Sequence, residues 1–187
     1  MTAADPIAVL KAAKGRFDRL HARLPEREAR RNSLLADSHA DPLSEREKRE
    51  REARRARGEK NPPVRGRGRR AAIARLIGQT EQNVRNLYEA ELAYREATDR
   101  PRRLTEPDAA FALLPEAQRA VDEVTVARDA YYAAIADALP PHVHGARPSG
   151  ADADRFAEVR RITGLDPSHL RRIQRGVLEK RTPPATE

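Results

Sequence analysis

The sequence predicts an all-α protein. Apolar residues recur at three- and four-residue steps over long stretches, alanine is abundant, and no segment sustains the alternation of a half-buried strand. The first element is an amphipathic helix over residues 5–24, with Ile7, Leu10, Phe17, Leu20 and Leu24 on one face. Pro25 has no N–H to donate, so the helix kinks or restarts there and continues over 26–36 to Leu34 and Leu35. Asp41-Pro42 marks a break, and Ser44 with Glu47 fits a capping box. From Glu45 to Arg57 the charges alternate with almost no apolar face, which suits an exposed helix held by i,i+4 pairs or a segment ordered only by a partner.

Gly58 to Arg70 reads as a linker, with Asn61-Pro62-Pro63 followed by alternating arginine and glycine. Helical spacing resumes from Ala71 to about Ala97 with one interruption. Residues 98–108, with Pro101 and Pro107, form a second connection. Pro115 to Leu139 reads as a long Ala-rich helix carrying Val121, Val124, Tyr131, Ile135 and Leu139. Residues 140–154 form a loop, 155–180 are helical with one break, and the remainder is a tail. Five segments follow: an N-terminal helical region (1–43), a charged and partly flexible insert (44–70), a first helical pair (71–100), a connection with the long helix (101–154), and a second pair with the tail (155–187).

Composition removes several classes. The chain has 187 residues and only 4% aromatics, so its cores are thin. Without cysteine it has no disulfide, thiolate metal site or cysteine nucleophile. Its uninterrupted apolar runs, such as Ala109–Leu114, are far short of the ~20 residues that span a bilayer. Met1 to Gly15 lacks the pattern of a signal peptide. These features lead to the expectation of a soluble, cytoplasmic protein without membrane partners. The excess of arginine over lysine, with abundant alanine, is what a GC-rich bacterial genome encodes.

The net charge of +8 is unevenly placed. Residues 44–70 carry +7 and residues 155–181 carry +5, while the rest of the chain is net acidic. Clustered positive charge of this kind is the footprint of a polyanion.

Two stretches flank a glycine in the same way. In Arg70-Ala-Ala-Ile-Ala-Arg-Leu-Ile-Gly-Gln-Thr-Glu-Gln-Asn-Val-Arg-Asn-Leu-Tyr88, Gly78 occupies the turn and Ala74 permits a close helix crossing. Ile73, Ile77, Val84 and Leu87 face inward, and Thr80 is a fitting N-cap. In Phe156-Ala-Glu-Val-Arg-Arg-Ile-Thr-Gly-Leu-Asp-Pro-Ser-His-Leu-Arg-Arg-Ile-Gln-Arg-Gly176, Gly164 occupies the turn. Val159, Leu165, Leu170 and Ile173 face inward, and Asp166-Pro167 opens the second helix. The stretches superpose at a single offset of 86 residues, which sets Arg75 and Arg85 on Arg161 and Arg171 as outward positions.

This pattern resembles the helix-turn-helix DNA-binding superfamily, in particular its repressor-like units, over about 20 residues per copy. It looks like an internal duplication of one module, each copy preceded by a long amphipathic helix, with the charged insert lengthening the loop of the first. Three positions depart from the pattern: Gln79 and Thr163 stand where apolar residues are commoner, and Arg160 where a small residue is, with Ala157 one turn earlier.

The resemblance implies double-stranded DNA as partner, read by the N-terminal half of each second helix. The residues so implied are Glu81, Gln82, Arg85 and Asn86 in the first copy. In the second they are Ser168, Arg171 and Arg172, with His169 and Arg175 nearby. The basic run before the first copy adds Arg65, Arg67, Arg69 and Arg70, and Arg65-Gly66-Arg67 resembles an AT-hook core, with Gly68 where that motif has proline. A flexible linker touching phosphates is the alternative for this run. His142-Val-His144 lacks a third ligand nearby, and no P-loop, dinucleotide fingerprint or nucleophile elbow occurs, so neither metal, cofactor nor enzymatic activity is expected.

The expected function is therefore transcriptional regulation by tandem modules on two major-groove segments about ten base pairs apart. Plasmid or phage maintenance, DNA organisation, and a helical adaptor or RNA-binding role are the alternatives. The helices at 5–24 and 115–139 would pack the modules together or form the seam of a homodimer.

Overall fold

The structure, a computed structural model, describes residues 5–39, 45–61, 69–141 and 149–181. Among these there are eight α-helices and no strand: α1 (Pro6–Ala22), α2 (Leu24–Asp37), α3 (Glu45–Ala56), α4 (Arg69–Leu76), α5 (Glu81–Ala97), α6 (Pro107–Ala138), α7 (Ala151–Thr163) and α8 (Pro167–Arg181). The all-α expectation holds.

Local chemistry explains most boundaries. Asp5 caps α1 by accepting from the Ile7 amide at 3.0 Å, with Pro6 in the first helical position. Pro25 falls in the first turn of α2, where its missing donor costs nothing, so the chain restarts there rather than bending a single helix.

Two helices begin earlier than the sequence pattern suggests. α6 starts at Pro107 and carries Pro115 in its interior. Ala110 and Leu114 are both fully buried, so the apolar stripe extends upstream, and its burial offsets an interior proline's cost of about 3 kcal/mol. α7 starts at Ala151, where the Gly150 carbonyl accepts from the Ala153 amide at 3.0 Å and Asp152 and Asp154 sit at the positive end of the helix.

The chain forms two compact units, each with its own core. The first comprises residues up to Leu24 together with those from Asp122 onward. Its core joins Leu10 of α1, Tyr131, Ile135 and Leu139 from α6 and its end, Val159 of α7, and Leu170 and Ile173 of α8. Phe17 stacks on Tyr131 with ring centroids 5.5 Å apart, so α1 spends its apolar face inside this unit. Full burial of residues such as Leu10, Ile135 and Leu170 contributes about 1.5–3 kcal/mol each.

The second unit comprises Pro25–Val121. Leu34 and Leu35 of α2, Ile73 and Ala74 of α4, Val84 of α5, and Ala110, Leu114 and Ala117 of α6 form its core, with Ile77 from the turn after α4. The units cut across the segments read from charge. The N-terminal region 1–43 divides between them after Leu24, and so does α6, at Val121 and Asp122. The reason is that α1 and α2 bury their apolar faces in different cores.

Candidate nucleic-acid interface

Each unit contains a pair of helices joined by a glycine turn. Gly78 (φ +63°) follows α4 and Gly164 (φ +71°) follows α7, both in the left-handed region that a Cβ makes costly. After α4 the Gln79 amide closes back on the Ala74 carbonyl at 2.9 Å. After α7 the Gly164 amide closes on the Arg160 carbonyl at 2.8 Å. Both therefore satisfy orphan carbonyls of the first helix.

The second helices are then capped by side chains. Thr80 accepts from the Asn83 amide at 3.2 Å. Asp166 accepts from the His169 amide at 2.9 Å and from the Ser168 hydroxyl at 2.5 Å. The Ser168 and His169 bonds hold the Asp166 carboxyl below the usual aspartate range. Every residue expected to face inward is buried or packed against a core: Ile73, Ile77, Val84 and Leu87 in one pair, Val159, Leu165, Leu170 and Ile173 in the other.

The three departures from the sequence pattern have local explanations. Gln79 is exposed and accepts from Asn83 at 2.7 Å, so that position contributes nothing apolar. Thr163 donates to the Val159 carbonyl at 2.9 Å and accepts from the Leu165 amide at 3.2 Å, serving the turn. Arg160 and Ala157 are both exposed, whereas Ala74 is 5% exposed, so only the α4 pair has a small residue at a close approach.

The faces of α5 and α8 differ in chemistry. On α5, Glu81, Gln82, Arg85 and Asn86 are exposed and together form a polar surface. Gln82 donates to Asn86 at 2.9 Å, and Arg85 pairs with Glu89 at 2.7 Å. On α8, Ser168, Arg172 and Arg175 are exposed and His169 is half-buried. Arg171 differs from the outward placement read from its register. Its guanidinium lies 4.8 Å from the Phe156 ring centroid and donates to the Pro140 carbonyl at 3.0 Å and to Gln174 at 2.8 Å, and burial lowers its pKa.

Arg69 is likewise held inside its unit. It donates to the Pro107 carbonyl at 2.9 Å and to Asp108, and it lies over the Phe111 ring. Arg70, by contrast, is exposed. Arg65 and Arg67, and the His142-Val-His144 pair, lie outside the described residues.

The sequence reading missed a set of arginines that tie each pair to an upstream helix, α2 in the second unit and α6 in the first. In the second unit Arg95, at the end of α5, bonds Asp37 at 2.5 Å and Glu91 at 2.8 Å, and both Arg95 and Asp37 are 1% exposed. Arg95 also donates to the Ser33 hydroxyl at 2.6 Å and to the Arg102 carbonyl at 2.7 Å. Burial works against the Arg95 charge, but its bonds to Asp37 and Glu91 outweigh it and raise the pKa. In the first unit Arg181, at the end of α8, pairs with Asp137 at 2.5 Å, an exposed bridge that lowers the Asp137 pKa.

A second tie repeats the arrangement. Arg155 donates to the Ala138 and Asp137 carbonyls at 2.6 and 3.0 Å, and Arg69 reaches the Ser38 carbonyl at 3.5 Å. Arg69 and Arg95 stand 86 residues before Arg155 and Arg181, the same offset as the two glycine turns. The sequence signal was present in Leu35-Ala-Asp-Ser38 and Ile135-Ala-Asp-Ala138, a pair related by a different offset of 100 because the segment between α2 and α4, which includes α3, is longer than that between α6 and α7.

Among the described residues no group of three His, Cys, Asp or Glu side chains is placed to hold a metal ion, and no helix is long and apolar enough to cross a membrane. No protein-family model matches the chain, and no curated protein or solved structure is significantly similar to it.

Proposed function

We propose that the protein binds double-stranded DNA through two helix-turn-helix modules, α4–α5 and α7–α8, and regulates transcription. One observation carries this reading. Each pair turns on a left-handed glycine, buries one face of its second helix, and leaves the N-terminal half of that helix polar and exposed. That division suits a helix resting on its partner while its other face enters a major groove. The repeated ties, Arg95 to Asp37 and Arg181 to Asp137, support a duplication of one module preceded by its own helix.

The two copies have separate tasks. On α8, Arg172 and Arg175 neutralise phosphate or bind guanine edges, with Ser168 and His169 at the helix start. On α5, Gln82 and Asn86 suit adenine, Glu81 suits cytosine, and Arg85 is able to exchange its exposed partner Glu89 for a guanine. Arg70 and the basic residues Arg65 and Arg67 supply positive charge that α5 lacks. Arg69 and Arg171 support the modules from within.

Fluorescence anisotropy with selected duplex DNA tests this assignment. Arg172→Ala with Arg175→Ala is expected to weaken binding by about tenfold or more. Arg171→Ala is expected to act mainly through stability, lowering the urea midpoint of unfolding. Unchanged DNA affinity in the double variant would remove α8 as a reading helix.

A further inference from the structure

The first unit contains a cavity of about 360 Å3 between α6 and α8, within the size range of small-molecule sites. Its walls are apolar where the helices meet, formed by Tyr132, Ile173 and Val177. Its rim carries Arg172 and Lys180, both exposed and neither engaged in an ion pair or hydrogen bond among the described residues. The other charges at the rim are compensated, Arg181 by Asp137 and Asp129 by Arg128. An apolar slot therefore opens beneath two unpaired cations.

Gly176 lines the same cavity from the interior of α8, where glycine is less stable than alanine by about 1 kcal/mol. Nothing in the protein requires a glycine there. A Cβ at position 176 would meet no atom within 4 Å, and the residue is not among the glycines with positive φ. The position 86 residues earlier, on α5, is Ala90. What Gly176 preserves is the open volume of the cavity.

We propose that this cavity binds a small amphipathic anion, an aromatic or branched-chain carboxylate. Its body lies over Gly176 against Tyr132, Ile173 and Val177, and its carboxylate is held by Arg172 and Lys180. Arg172 borders both the cavity and the DNA-reading face, so an occupied cavity withdraws that cation from phosphate. This consequence, an effector that weakens DNA binding, rests on the function proposed above, whereas binding of the anion does not.

Isothermal titration of the 187-residue chain with phenylbutyrate and with naphthoate tests the site, with the neutral analogue phenylbutanol as control. Saturable binding of a carboxylate is expected, at least about tenfold tighter than phenylbutanol. Gly176→Leu, which fills the slot, should abolish it. Arg172→Ala, a change at an exposed position with little risk to folding, should weaken it about tenfold. No saturable binding of either carboxylate, equal affinity for phenylbutanol, or unchanged affinity in both variants would overturn the site. Anisotropy with duplex DNA then separates the two ideas. Failure of the unliganded protein to bind DNA while the carboxylate still binds would remove the DNA-binding function and leave the site standing. DNA affinity that stays the same at saturating carboxylate would overturn the effector role.

Discussion

Asp37 and Arg95 form an ion pair removed from water, and that placement decides how much each is worth. A charge left without its partner in such a site costs about 3–5 kcal/mol, far more than an exposed pair contributes. Arg95→Ala, which strands the buried Asp37 carboxylate (Asp37→Ala would leave Arg95 paired with Glu91), is therefore expected to destabilise the second unit by about 3–5 kcal/mol in urea unfolding. Asp137→Ala, which breaks the exposed counterpart, should lose a small fraction of that, and equal losses would contradict the difference in burial.

His39, next to this pair, gives the same unit a pH dependence. Its Nδ1 lies 2.9 Å from the Leu35 carbonyl, its ring stacks on Tyr88, and its buried Nε2 has no hydrogen-bond partner among the described residues. Burial lowers its pKa and nearby Arg70 lowers it further, against the opposing Leu35 bond. The folded state thus favours neutral imidazole, and the associated stability is present above the ordinary value of about 6.5 and lost as pH falls below it. Urea midpoints measured between roughly pH 7.5 and 5 should fall with pH, and His39→Phe should flatten that slope. An unaltered slope in the variant would assign the effect elsewhere.

Among the elements, α3 stands apart because it has no apolar face. Its described side chains are exposed or, for Arg51, half-buried, and a pair such as Arg46–Glu50 supports the helix locally. Its contribution is therefore charge rather than packing. Replacing Glu45–Ala56 with a Gly/Ser linker should change global stability by less than about 0.5 kcal/mol while weakening DNA binding at low salt. A large loss of stability would show that α3 packs against the unit.

The legibility of the elements follows the same physics. Periodic apolar residues made α1, α5 and α8 visible, and Gly78 and Gly164 marked their turns, because these signals are local. The upstream start of α6 was hidden, since Pro107 and Pro115 look like breakers until the burial of Ala110 and Leu114 is known. The inward turn of Arg171 and Arg69 was hidden for a related reason. Helical register gives the direction of a side chain's base, while the length of arginine lets its guanidinium reach the Pro140 or Pro107 carbonyl.

At the scale of the whole molecule, two units with separate cores each carry one candidate reading helix, and the chain's positive charge is concentrated in the sequence segments that precede the first of them and contain the second. The division between the units was not legible in the sequence, because α6 is one uninterrupted helix that serves both cores. DNA binding is tested most directly by the affinity of the chain for duplex DNA at several salt concentrations. The proposed DNA binding gives an affinity at low salt that weakens linearly in log Kd against log salt, with a slope of about 0.9 per phosphate neutralised. The slope becomes shallower once Arg172 and Arg175 are replaced by alanine. No binding at low salt, or an affinity indifferent to salt, would contradict the proposed function.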